Sequence, residues 1–264
     1  MTLTTFSFPT PTLFGAGALG ELPVRMKRLG IQRPLVVTDA GLLRTGAFVA
    51  LTEALGPGSQ GKYWFVYSGV HPNPIEQDVR DAAQAFRDQG CDGVIAIGGG
   101  SPLDAGKAAR LLVKHPGFDL VKFYDESDWS GLAPFIAIPT TAGTGSEVGR
   151  SSVITLDATR RKAVLFHAEL LAKLVILDPQ LTVGLPPMLT AATGADALTH
   201  CIESFTCPQF HPMCDGIALE GIRLIIEALP RAYAKGDDLE ARGHMLVAAA
   251  MGAIAFQKDL GVVH

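Results

Sequence analysis

Asp196 and His200 lie four residues apart in the segment GADALTHCIE at 194–203, where apolar residues recur at helical spacing. Side chains so spaced share one helical face, so this carboxylate and imidazole can hold one cation between them. A hard carboxylate oxygen beside a borderline imidazole nitrogen suits Fe2+ or Zn2+. The alternative for the pair is an ordinary surface contact between an acid and a histidine. His264 offers another imidazole after the run Leu260, Gly261, Val262, Val263; a tag remnant or a frayed end is the alternative there. Ligands of type Asp, His and His leave positions open for water or substrate, as catalytic rather than closed structural sites do.

A second group of residues suits an anion. Gly98, Gly99 and Gly100 follow an apolar run and precede Ser101, Pro102, Leu103 and Asp104, where a helical pattern begins. Without side chains in the way, a diphosphate can approach such a turn and meet the free N–H groups and positive end of the helix. Two familiar phosphate motifs fail. Leu103 stands where G-x-G-x-x-G needs its last glycine, and Ser101 and Lys107-Ala108 break the P-loop pattern. A purely structural turn is the alternative. Asp39 ends another apolar run. A carboxylate there can accept from a ribose hydroxyl and repel a 2′-phosphate, or it can cap a helix. Residues 139–147, PTTAGTGSE, crowd four hydroxyls and two glycines into one loop able to line a ligand with donors.

The elements that position these residues follow from periodicity. Short apolar runs at 35–38, 64–67, 93–97 and 135–138 read as strands, and residues 75–89 and 102–113 as helices. Strands alternating with helices predict βαβ units and a largely parallel sheet covered on both faces. Beyond Pro187 the chain is rich in Ala, Leu and Ile, and 189–205, 212–228 and 238–257 read as helices. The expected organisation is a dinucleotide-binding α/β domain over 1–184 and a helical metal-binding domain over 185–264.

Composition narrows the class. Hydrophobic residues at 48% and charged residues at 18% suit a chain with a sizeable core. A net charge of -4 exerts no general pull on nucleic acid or anionic membranes. The N-terminus lacks a basic region before an apolar stretch, and no uncharged stretch is long and apolar enough to span a bilayer. A soluble cytoplasmic protein is expected. Cys91, Cys201, Cys207 and Cys214 form no C-x-x-C pair and read as buried thiols.

Taken together, VVTDAGL at 36–42, HPNP at 71–74, GGGSPLDAGKA at 98–108, IPTTAGTGSEV at 138–148, LVILDP at 174–179, TGADALTHCIES at 193–204 and AFQKDLGVVH at 255–264 resemble the iron-containing (group III) alcohol dehydrogenases. The likeness runs from near residue 5 to residue 264. It implies an α/β domain followed by an all-helical one, with the site in the cleft between. It implies NAD contacts at Asp39, Asn73, Gly100, Ser101, Asp104, Thr140, Thr141, Thr144, Ser146 and Lys162, with Gly99 in the same glycine turn, and metal ligands at Asp196, His200 and His264. Fe2+ or Zn2+, a small alcohol or aldehyde substrate and a homo-oligomer follow from the same resemblance. The family's fourth ligand, a further His, and its proton-relay His lie downstream of residue 264. The helical domain is therefore expected to be C-terminally truncated here, with weak or absent activity. The alternatives are a non-catalytic NAD-binding fragment and a relative of the glycerol dehydrogenase or dehydroquinate synthase type.

Overall fold

A computed structural model describes residues 8, 10–56, 63–126, 128–261 and 264. Six strands form one parallel sheet: β1 (Thr12–Phe14), β2 (Pro34–Val37), β3 (Phe65–Tyr67), β4 (Gly93–Gly98), β5 (Phe135–Pro139) and β8 (Leu174–Leu177). Their spatial order is β1-β8-β5-β4-β2-β3. Every residue of β2, β4, β5 and β8 is buried. Alternate side chains explain why the apolar runs are continuous. Leu35, Val37, Val94, Ala96, Phe135 and Ala137 face a core shared with α3 (Glu76–Asp88) and α4 (Gly100–Lys114). Val36, Ile95, Ile97, Ile136 and Ile138 face a second core, shared with α1 (Leu22–Arg28) and α2 (Gly46–Leu55). A sheet covered on both faces needs apolar residues at both parities.

Between β5 and β8 lies an antiparallel hairpin that sequence periodicity does not predict, β6 (Ser151–Leu156) and β7 (Arg161–Phe166). Only alternate residues of β6 are buried, and β7 exposes most of its side chains. The hairpin therefore lacks the apolar run that marks the sheet strands.

Past a 3-10 turn at Pro179–Thr182, three helices follow: α5 (Pro187–Thr206), α6 (Pro212–Ala234) and α7 (Leu239–Ala255). They pack on one another, and α7 also rests against the Pro179–Thr182 turn and the short 3-10 helix Ser146–Val148. Helix α6 runs six residues past the expected end at 228, carrying Pro230 inside it. Pro230 removes one backbone donor, but Ala228 and Ala232 on either side are buried against neighbouring helices. Packing overrides the local break. Among the described residues no helix is long and apolar enough to cross a membrane.

Candidate functional site

In a parallel sheet, ligands sit beyond the carboxyl ends of the strands, where the strand order reverses. Here the chain passes from β2 outward to β3, returns to β4 on the other side of β2, and continues to β5. The reversal lies between β2 and β4, whose ends carry Asp39 and the glycine turn. The Thr38 hydroxyl donates to the Ile97 carbonyl (2.9 Å) and ties the two ends together.

The glycines of the turn do different work. Gly98 has φ 143, a conformation disfavoured for other residues, and a Cβ there would meet Pro102 at 2.8 Å. A Cβ on Gly100 would meet the Thr144 side chain at 2.8 Å. Gly99 meets nothing closer than Thr141 Oγ1 at 3.5 Å. One Asp39 oxygen accepts from the Leu42 N–H (3.0 Å), the capping role, and the side chain is only partly buried. Asn73 adopts φ 57 in an exposed turn and donates its N–H to Ser101 Oγ (3.3 Å). Thr140 is buried and donates its N–H to Gly98 O (2.9 Å); Thr141 is half-buried and Thr144 exposed. Lys162 is exposed on β7 opposite Thr155, whose N–H donates to Pro74 O (2.8 Å). The hairpin thus brings Lys162 to the turn that holds Asn73.

Asp104 and Ser146 turn inward. Asp104 Oδ1 accepts from Ser146 Oγ (2.5 Å), and its Oδ2 accepts from the Val153 N–H (3.0 Å). Lys107, fully buried, donates to Ser146 Oγ (2.7 Å) and Ser151 O (2.7 Å). Burial lowers the Lys107 pKa against the opposing pull of Asp104, and burial raises the neighbouring Glu147 carboxyl to about 7. The sequence reading missed both Lys107 and Glu147. A charged residue among small apolar ones on a helix beginning at the glycine turn was the available signal for the lysine.

Asp196, His200 and His264 come together, with one potential ligand atom from each within 4.8 Å of the others. Asp196 Oδ1 lies 3.8 Å from His200 Nε2 and 3.3 Å from His264 Nε2. The imidazole rings are 4.5 Å apart at their centroids. His200 is buried on α5, and burial lowers its pKa despite Asp196, which favours the neutral ring a metal requires. Its Nδ1 is buried with no hydrogen-bond partner among the described residues, while the nearby Gly143 backbone favours the protonated ring. The oxygen and two nitrogens fit a divalent first-row ion. Among the described residues no cysteine joins this group, and burial raises the Cys201 thiol to about 12.

A residue not singled out from sequence completes this group. Glu203 is 1% exposed, accepts from the backbone N–H of His264 (3.2 Å) and lies 3.1 Å from its Nδ1. Its place three residues after His200 and seven after Asp196, on the same helical stripe, was the signal.

The two groups share one wall. The loop after β5 packs Thr144 on Gly100 and sets Gly143 against Thr193 of α5, where an added Cβ would lie 2.8 Å from Thr193 Cβ. Gly145 lies so close to Ala249 and Ala253 of α7 that a Cβ there would overlap them.

A parallel α/β sheet with a glycine turn at its switch point, joined to helices that gather an Asp–His–His cluster, defines the class of protein. Residues 9–179 match the profile of the iron-containing alcohol dehydrogenases, and residues 190–264 match that of the family's C-terminal part. The chain belongs to the iron-containing alcohol dehydrogenase family. It is 44% identical to a 4-hydroxybutyrate dehydrogenase of Cupriavidus necator over 254 residues, 94% of this chain and 65% of that protein. The fold is similar to that of a 1,3-propanediol oxidoreductase, with a TM-score of 0.89, 37% identity and coverage of 98% of this chain and 68% of that one. It is equally similar to a sulfoacetaldehyde reductase from Bifidobacterium kashiwanohense in complex with NAD+, with a TM-score of 0.89, 31% identity and coverage of 97% and 67%. The chain thus spans about 65% of the length of the curated relative it matches.

Proposed function

We propose that the protein interconverts a small alcohol and its aldehyde or ketone by hydride transfer with NAD(H), with a divalent ion, Fe2+ or Zn2+, at Asp196, His200 and His264. The observation that carries this reading is the shared loop. Residues 140–145 touch the glycine turn through Thr144 and α5 through Gly143, so one loop lies between the proposed nucleotide-binding and metal-binding residues. The relative solved with NAD+ and the relatives named as diol and hydroxy-acid dehydrogenases support the cofactor and the substrate class.

When bound, the ion supplies Lewis acidity toward the substrate oxygen and the nicotinamide supplies the hydride-exchanging carbon. The chain's own residues bind and orient. Gly99, Gly100 and Ser101, at the start of α4, offer N–H groups to the diphosphate. Asp39 accepts from a ribose hydroxyl through the oxygen not engaged with Leu42 and disfavours a 2′-phosphate, selecting NAD over NADP. Asn73, Thr140, Thr141, Thr144 and Lys162 line the same edge. Asp104 and Ser146 act from beneath it, holding Lys107 and the loop in place. Asp196, His200 and His264 offer one oxygen and two nitrogens and leave other positions open. No side chain between residues 1 and 264 is assigned as the proton relay.

A homo-oligomeric, cytoplasmic protein that binds neither nucleic acid nor membrane is part of the same reading. The net charge and the exposed apolar residues Leu219, Ile226 and Tyr233 on α6 support it. NAD+ reduction with short primary alcohols, measured before and after chelation and after adding back Fe2+ or Zn2+, tests the function. Turnover should vanish on chelation and return with the ion. Turnover indifferent to chelation would remove the metal from the reading; NADH binding with no turnover under any metal would favour the non-catalytic one.

A further inference from the structure

We propose that Glu203 is a positioning residue that fixes the ring and backbone of His264, so that Nε2 faces the point shared with Asp196 and His200; this rests on the metal site proposed above. Three distances carry it. The Glu203 carboxylate, 1% exposed, accepts the His264 backbone N–H at 3.2 Å and lies 3.1 Å from Nδ1, and the opposite ring nitrogen lies 3.3 Å from Asp196 Oδ1. A carboxylate can only accept here, so it holds a proton on Nδ1 and leaves Nε2 to the cation side of the ring. The free Nε2 lone pair would face the Asp196 oxygen, an arrangement that favours a cation between them. A buried carboxylate without a partner is costly, and His264 supplies two donors from one residue. Glu203 therefore links α5, which carries two ligands, to the segment after α7, which carries the third. Carboxylate partners of this kind set ring orientation and raise ligand basicity.

Glu203→Gln and Glu203→Leu separate backbone support from control of the ring. A glutamine amide can still accept the backbone N–H, but it can also donate to Nδ1, so it no longer dictates which ring nitrogen carries the proton. Zn2+ affinity is measured by chelator competition, with nitrogen-15 spectra of the histidines in the zinc-loaded protein and circular dichroism as the check on folding. The expected result is Zn2+ binding weakened about 10-fold in Glu203→Gln and about 100-fold in Glu203→Leu. The parent's His264 should show a protonated Nδ1, and that signal should shift or vanish in both variants. If the Glu203→Leu protein fails to fold, Glu203→Gln alone decides. Zinc affinity within about twofold of the parent in a folded Glu203→Gln protein, or a His264 protonated at Nε2 in the parent, would overturn the role of Glu203. A parent that binds no Zn2+ at all would overturn the metal site itself, and the role of Glu203 with it.

Discussion

Side chains in this chain are set more by burial than by charge counting, and Glu147 is a case with a testable consequence. Its carboxyl is raised to about 7 by burial, with Lys107 pulling the other way. The folded protein therefore keeps a proton that the unfolded chain releases above its ordinary value of 4.5. Stability from this group is fully present below the unfolded value, falls as pH rises toward 7, and is flat beyond; the full swing is about 3 kcal/mol. Glu147→Gln should abolish that fall, so its advantage over the parent in urea unfolding should grow between pH 5 and pH 7.5. An advantage that does not change with pH would show that Glu147 ionises normally. Asp39 gives the second prediction at this scale. Replacing it with Gly should weaken NADH binding by about tenfold, from the loss of a hydrogen bond to a charged acceptor, and relieve repulsion of NADPH. Calorimetry with both nucleotides checks this; an unchanged ratio of affinities would leave Asp39 with only its capping bond to the Leu42 N–H.

Among elements, the loop after β5 matters most, because it touches α4, α5 and α7. Gly145 has φ 61, and a Cβ there would lie 2.2 Å from Ala253 Cβ and 2.8 Å from Ala249 O. Gly145→Ala should destabilise the protein by about 2–4 kcal/mol through backbone strain and overpacking. It should also weaken NADH and Zn2+ binding together, since the loop lies between the two proposed sites. A folded variant with one affinity lowered and the other intact would uncouple the two groups. Sequence made the sheet legible because β2, β4 and β5 are buried on both faces and read as continuous apolar runs. It hid the hairpin, where β7 exposes Arg161, Lys162, Val164 and Phe166 and no parity stands out. Helix α6 exceeded its expected end because Ala228 and Ala232 pack well enough to carry the chain through Pro230. At the candidate site, the four-residue spacing put Asp196 and His200 on one helical face but left a surface contact open, and the metal reading came from the resemblance of TGADALTHCIES. The bonds that tie Lys107 and Asp104 to Ser146 were not legible, since they join residues 39 and 42 apart that only the fold brings together.

For the whole molecule, the proposed reading gives the sheet a cofactor edge, gives metal ligands to α5 and to the segment after α7, and puts the loop after β5 between them. That division holds only if a metal sits where Asp196, His200 and His264 converge. Anomalous diffraction from crystals grown with Zn2+, recorded at the zinc edge, addresses this most directly. A peak within about 2.0–2.2 Å of Asp196 Oδ1 and of the Nε2 atoms of His200 and His264 is expected. A peak elsewhere, or none at a zinc concentration well above the protein's, would contradict it.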